Sequence, residues 1–262
     1  MKIKDVISAL ERFAPLPLQE GWDNAGLQIG LTETDVSGAL LCLDVNEDII
    51  DEAMTKGCNL VVSHHPLIFH GLKRISDADL VERSVMKAIK NDIAIVAMHT
   101  NLDNARGGVN FRIAHMLGLS GADFFSPVRT ADGVEGASGV MGTLQQPMEA
   151  KAFVDHVKSV FDVQCAQCNQ LLSRPISKVA ICGGAGDFLL VDAIKAGADA
   201  FITGEMHYHV YAGHEQEIQI CVIGHYQSEQ YTAHLMKEVI DRECPGIKTI
   251  VATTNTNPIV YI

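Results

Sequence analysis

The sequence predicts an α/β protein built by internal duplication, with two related α/β lobes carrying mixed or mainly parallel sheets. The first observation is a self-match at a shift of 140. Residues 39–65 (ALLCLDVNEDIIDEAMTKGCNLVVSHH) read as an apolar strand, a turn, an amphipathic helix ending at Gly57, and a second apolar strand. Residues 179–205 (VAICGGAGDFLLVDAIKAGADAFITGE) repeat that order, with Cys42 over Cys182, Ala53 over Ala193 and Gly57 over Gly197. Both glycines stand where a helix ends on a left-handed residue. A second match, at a shift of 126, sets residues 93–103 over 219–229, so that His99 meets His225 and Asp103 meets Glu229. Strand–helix–strand units of this kind pair their strands in parallel.

In chain order, Ile3, Val6, Ile7, Leu10 and Phe13 fall at helical spacing among charges, which reads as an amphipathic helix over 1–13 and not a signal peptide. The first lobe is expected over 1–126. A connecting region over 127–174 follows, turn-rich at Gly133, Gly136, Gly139, Gly142 and Pro147, then helical over 149–161. The second lobe is expected over 175–262, the two lobes being intertwined. Lys and Arg number 20 against 32 Asp and Glu, a net charge of −12 that repels long nucleic acid but leaves a small phosphate ligand open. No apolar run reaches membrane-spanning length. Seven scattered cysteines imply buried thiols without disulfides, in a reducing cytoplasm.

Polar groups gather where the core strands stop: Ser63, His64 and His65 after LVV, His99 to Asp103 after IAIVAM, Glu205 after AFIT, and His225 after CVIG. Ligands of open α/β sheets bind at these carboxyl ends. Imidazoles with carboxylates suit zinc, iron, manganese, cobalt or nickel, and bridging carboxylates suit a pair of ions about 3.5–4 Å apart. The expected ligands are His64, His65, Asp103, His225 and Glu229, in a cleft between the lobes. His64 and His65 would point to opposite faces of a regular strand, so the backbone has to turn there, and Pro66 favours such a break. His225 and Glu229, four apart, share one face of a helix. Asp103 is expected on a loop before a helix over 109–117. Each piece alone has a plain structural reading, and it is their conjunction that points to metal.

His99 is read as a ligand, a proton carrier or a group that orients Asp103. His207, His209 and His214 follow Glu205 as candidates for the site entrance or as strand histidines facing opposite ways. Cys165 and Cys168 lack a second pair at zinc-site spacing. Asp187, after three glycines, reads as a plain strand-to-helix turn, since it matches neither phosphate-binding glycine motif.

GWDNAGLQIG (21–30), VVSHHPLIF (61–69), HTNLDNARGGVN (99–110), VAICGGAG (179–186), ITGE (202–205) and GHYQSE (224–229) together resemble the Nif-three-like family, often labelled GTP cyclohydrolase 1 type 2. The resemblance covers nearly the whole chain, in a short form without an inserted domain. GASGVMG (136–142) departs from the arginine-containing version of the family. The resemblance implies two α/β lobes around a dinuclear metal centre, a homohexamer, and a small-molecule substrate, with a nucleotide as the candidate. Its metal ligands carry over to His64, His65, Asp103, His225 and Glu229. The activity implied is hydrolytic opening of the guanine imidazole ring with release of formate. His99 and Glu205 are then candidate proton carriers, and Arg106 with Gly107 and Gly108 a candidate triphosphate contact. The alternatives are a metal-dependent phosphoesterase or other small-molecule hydrolase, and a metal-binding regulatory scaffold for a protein partner.

Overall fold

A computed structural model describes residues 1–260 and 262. The chain begins with α1 (Ile3–Phe13), β1 (Gly26–Ile29), β2 (Ala39–Cys42), α2 (Glu47–Thr55), β3 (Leu60–Ser63), α3 (Leu80–Lys90), β4 (Ala94–Ala97) and α4 (Thr100–Asp103). It continues through α5 (Val109–Met116), β5 (Ser120–Phe124), β6 (Val128–Arg129), β7 (Glu135–Gly136), β8 (Val140–Met148), α6 (Ala150–Phe161) and β9 (Gln167–Cys168). Then come β10 (Ile176–Ala185), α7 (Leu190–Lys195), β11 (Ala200–Glu205), β12 (Gln219–Val222), α8 (His225–Glu229), α9 (Thr232–Glu243) and β13 (Thr249–Val251). Two compact units divide these elements: residues 1–102 with 230–262, and residues 103–229.

The first unit is a five-stranded sheet in the order β1-β4-β3-β2-β13. β13, β2, β3 and β4 run parallel, and β1 closes one edge antiparallel. Every residue of β2, β3 and β4 is buried, as expected of a parallel sheet covered on both faces. Leu40, Val61 and Ile95 pack with Ile49, Ile50 and Ala53 of α2 and Val85 and Ala88 of α3. α9 packs on β2 and β13, and α1 packs on α9. The helices start where short polar side chains accept a backbone N–H: Asn46 from Ile49 (2.9 Å) and Asp79 from Glu82 (2.8 Å).

The second unit is a six-stranded mixed sheet in the order β5-β8-β10-β11-β12-β9, with β10, β11 and β12 parallel. Phe201, Ala180 and Ile220 pack there against Leu190 and Ala193 of α7. β6 and β7 form a separate antiparallel ribbon.

The strand registers carry the internal duplication. Ala39 pairs with Leu60 in the first unit and Val179 with Ala200 in the second, each residue 140 further on. Gly57 (φ 68°) and Gly197 (φ 77°) both end their helices left-handed. The second match needs a correction of one residue. Leu60 pairs with Ala94 and Ala200 with Gln219, so the strands correspond at a shift of 125, which sets Thr100, not His99, over His225. Thr100 and His225 indeed both begin short helices.

Segment 127–174, expected to connect the lobes, contributes β8, α6 and β9 to the second unit. Pro147 lies inside β8, where the register with β10 shifts between Ile176 and Lys178; the irregularity accommodates a residue that has no N–H to donate. At the other end of the chain, β13 leaves the second half altogether and pairs with β2. Five of the seven cysteines are buried, whereas Cys165 is exposed and Cys168 half-buried. Among the described residues, no helix is long and apolar enough to cross a membrane.

Beyond β13 the chain is clamped by Glu52, whose carboxylate accepts the N–H and hydroxyl of both Thr253 and Thr254, at 2.6–2.9 Å. Burial pushes this carboxyl up, but the four hydrogen bonds outweigh it and hold Glu52 at about 2. Because the folded-state pKa is depressed, the clamp contributes fully above the ordinary glutamate range and weakens as pH falls through that range towards 2. Hydrogen exchange at the Thr253 and Thr254 amides is therefore expected to quicken, relative to each amide's intrinsic rate at the same pH, below about pH 4. Glu52→Gln should quicken it already at neutral pH.

Candidate metal centre

In the first unit the site is built at the carboxyl ends of β3 and β4. After Ser63 the backbone bends, as Pro66 suggested, yet His64 and His65 stay hydrogen-bonded to the chain leaving β2, through Cys42 O (3.2 Å) and Leu43 O (2.9 Å). The two rings therefore lie on one side, their centroids 5.0 Å apart. His99, between β4 and α4, brings its ring to 5.3 Å from His64 and 5.4 Å from His65. One ring nitrogen from each of the three lies within 4.8 Å of the other two. Nitrogens around one ion at about 2.1 Å stand at most about 4.2 Å apart, so small rotations suffice for this set to hold a divalent metal.

Each ring is oriented through its Nδ1. His64 Nδ1 lies 2.8 Å from the Met98 carbonyl, His65 Nδ1 2.7 Å from Asp44 Oδ1, and His99 Nδ1 2.7 Å from Asp23 Oδ1. A carbonyl only accepts, so His64 carries its proton on Nδ1 and its lone pair on Nε2. The carboxylates impose the same tautomer on the other two rings. Burial pushes Asp23 up, but hydrogen bonds from His99 and Thr100 outweigh it and hold the carboxyl at about 2. Asp44 is likewise raised by burial and brought below the usual range by His65 and Thr256. Oxygen acceptors behind imidazoles are the usual outer partners of metal-ligating histidines.

Asp23 and Asp44 were not among the expected site residues. Asp44 follows the apolar run ALLCL, so the strand-end rule that found His64 reaches it too. Asp23 approaches over 76 residues of chain, and only the GWDN segment drew attention to it. It also explains the one local departure near the site. Asp103, expected on a loop, is the last residue of the one-turn helix α4, because Asp23 Oδ2 caps that helix by accepting the Thr100 N–H (3.0 Å).

The second unit assembles its own acceptors at the ends of β10, β11 and β12. In α8 the expected i,i+4 pair is formed: His225 Nε2 lies 3.0 Å from Glu229 Oε2. Glu205, at the end of β11, lies 2.9 Å from His225 Nδ1 and so acts on that ring's orientation. Glu229 is only 4% exposed. Gly184 makes room for it: a Cβ there would come within 2.3 Å of Glu229 Oε1, and the residue has φ 63°. Ser228 Oγ accepts the Gly184 N–H (3.0 Å), tying α8 to β10. Asn110 accepts the Gly183 N–H (2.8 Å) and donates to the Asp103 carbonyl (3.3 Å).

Other expected residues are engaged elsewhere. Arg106 is exposed, ion-paired to Asp123 (3.0 Å) and Glu135 (3.2 Å), with its guanidinium 4.8 Å from the Phe124 ring centroid. Gly107 takes φ 79°, and Gly108 is the N-cap of α5. His207 and His209 lie beyond the end of β11, not on a strand; His207 pairs with Asp187, and His214 with Glu217 at 2.8 Å. Asp187 thus sits in a strand-to-helix turn, as expected.

Replacing Gly184 by Ala forces a side chain into left-handed backbone and onto the Glu229 carboxylate. A loss of about 1–2 kcal/mol is expected from the backbone alone, read by denaturant unfolding. Gly197→Ala carries the same backbone strain with open space around its Cβ, and separates the two effects.

Comparison with known proteins agrees with this picture. The DUF34/NIF3 family (NGG1p interacting factor 3) matches residues 1–258. The chain is 34% identical to a GTP cyclohydrolase 1 type 2 homolog of Clostridium perfringens over the full length of both, and 32% identical to one from Clostridium acetobutylicum, over 98% of this chain and 97% of that protein. The structure of a Bacillus cereus protein related to NIF3 superposes with a TM-score of 0.90 at 26% identity, covering 100% and 99% of the two chains. With the family match spanning residues 1–258, the chain belongs to the DUF34/NIF3 family.

Proposed function

We propose that the protein is a divalent-metal-dependent hydrolase whose first substrate to test is GTP, opened at its imidazole ring with release of formate. The observation that carries the metal is the pair of imidazoles His64 and His65, each with its Nδ1 on an oxygen and one ring nitrogen of each within 4.8 Å of the other. The choice of GTP is supported by the relatives named GTP cyclohydrolase 1 type 2 homolog.

The proposed ligands are His64 and His65 of the first unit and Asp103, His225 and Glu229 of the second, for two divalent ions per subunit. Such ions supply polarised water and stabilise negative charge developing on the substrate. His99, backed by the Asp23 carboxylate, is proposed to take a proton at Nε2 from attacking water and return it to the departing ring nitrogen. Glu205 keeps the His225 proton on Nδ1. One water opens the ring at C8, and a second releases the formyl carbon as formate. Arg106, with the backbone of Gly107 and Gly108, is proposed to meet the triphosphate, exchanging its Asp123 and Glu135 partners for phosphate oxygens. Family resemblance further supports assembly as a homohexamer, which light scattering checks.

Metal analysis of purified protein by mass spectrometry is expected to find about two equivalents per subunit, falling towards zero in the His64→Ala, Glu229→Ala double variant. Little metal after reloading would refute the reading. Asp44→Ala, which leaves all proposed ligands in place, should weaken metal binding about 10- to 100-fold. Formate release from GTP, abolished by His99→Ala with metal content retained, would support the assigned reaction. Turnover of simple phosphodiesters without formate from GTP would replace it by a phosphoesterase.

A further inference from the structure

Next to the histidines, the first unit exposes a pair of large aromatic rings. Trp22, the only tryptophan of the sequence, is 60% exposed and Phe69 40%. Their centroids are 5.9 Å apart with the planes inclined by 52°. Each also meets His99, at 6.0 Å for Trp22 and 6.2 Å for Phe69. His70, exposed as well, stands 4.8 Å from Phe69.

The loops that carry the rings are pinned to each other. Asn24 Nδ2 donates to the Ile68 carbonyl (2.6 Å), the Ile68 N–H donates to Gln28 Oε1 (3.1 Å), and Gln28 Nε2 donates to the Asn24 carbonyl (2.7 Å). Asp23, directly after Trp22, is fixed by His99 and Thr100. Two exposed rings held in this way lose little freedom on binding, and their exposed surface suits another π-system.

We infer that Trp22 and Phe69 form a stacking platform that presents the planar heteroaromatic ring of the substrate, a purine base, to His99. The identification of the ring as a purine rests on the hydrolase reading above. The platform selects the base, while His99 acts on it. His70 offers a ring nitrogen at the platform's edge for hydrogen bonding to the base.

The single tryptophan provides the readout. Guanosine, excited at the red edge of the indole band to avoid its own absorption, is expected to quench Trp22 emission saturably in the full-length protein, with and without metal. Ribose 5-phosphate and tripolyphosphate should not. Phe69→Ala should weaken guanosine binding about 5-fold or more by the same signal, and Trp22→Ala should do so by calorimetry. Unchanged affinity in both variants, or quenching by tripolyphosphate equal to that by guanosine, would overturn the platform. So would a fall in molar mass by light scattering in Trp22→Ala with guanosine affinity intact, which would make this face a contact between copies of the chain. Saturable quenching by guanosine in a protein that holds no metal and releases no formate would sink the hydrolase reading and leave the platform standing. The reverse result would do the opposite.

Discussion

The constraint on which the site depends is that an imidazole has two nitrogens and can offer a lone pair on only one of them while neutral. In the first unit each of His64, His65 and His99 meets an oxygen through Nδ1. That single choice fixes three tautomers and three ring orientations. It explains why carboxylates stand behind two of the histidines, His65 and His99, and why those carboxylates are held ionised in spite of partial burial. It also joins the site to the sheet. The Met98 carbonyl follows β4 and Asp44 follows β2, so the registers of neighbouring parallel strands set the positions of the rings.

Parallel pairing in turn explains where chemistry collects. Strands that run in one direction end on one edge, and an edge where several chains leave together holds bends, carbonyls and helix starts that a continuous ladder would consume. His64 and His65 occupy such a bend, and α4 and α8 begin just beyond β4 and β12. The second unit repeats the arrangement with its own chemistry: a histidine–glutamate pair on one helical turn, oriented by Glu205 and accommodated by Gly184. The platform of Trp22 and Phe69 fits the same logic, since it is tied to the site by the loop that delivers Asp23.

Much of this was legible in the chain. The repeat over 39–65 and 179–205 predicted two β-α-β units, and the 140-residue shift reappears in the strand registers. Apolar runs that stop on histidine or carboxylate pointed to the strand ends. What could not be read was tertiary. Nothing local says that β13 pairs with β2, that a glycine-rich segment holds the long strand β8, or that Asp23 caps a helix 77 residues away. The shift of 126 aligned histidine with histidine because identical letters outweigh register. The backbone ladder, blind to side chains, places the correspondence one residue earlier.

The pairing of β13 with β2 has a consequence for how the chain is made. Residues 249–251 complete an edge begun at residues 39–41, so the sheet that bears His64, His65 and His99 cannot acquire this strand until residue 251 has left the ribosome. The unit over 103–229 is continuous and carries no such delay. During synthesis the unit over 103–229 can close first, while the half that carries the three histidines waits with an open parallel edge, the slower and more aggregation-exposed kind of pairing. In a vectorially made chain, the sheet behind the histidine pocket thus closes only after the unit over 103–229 has been made.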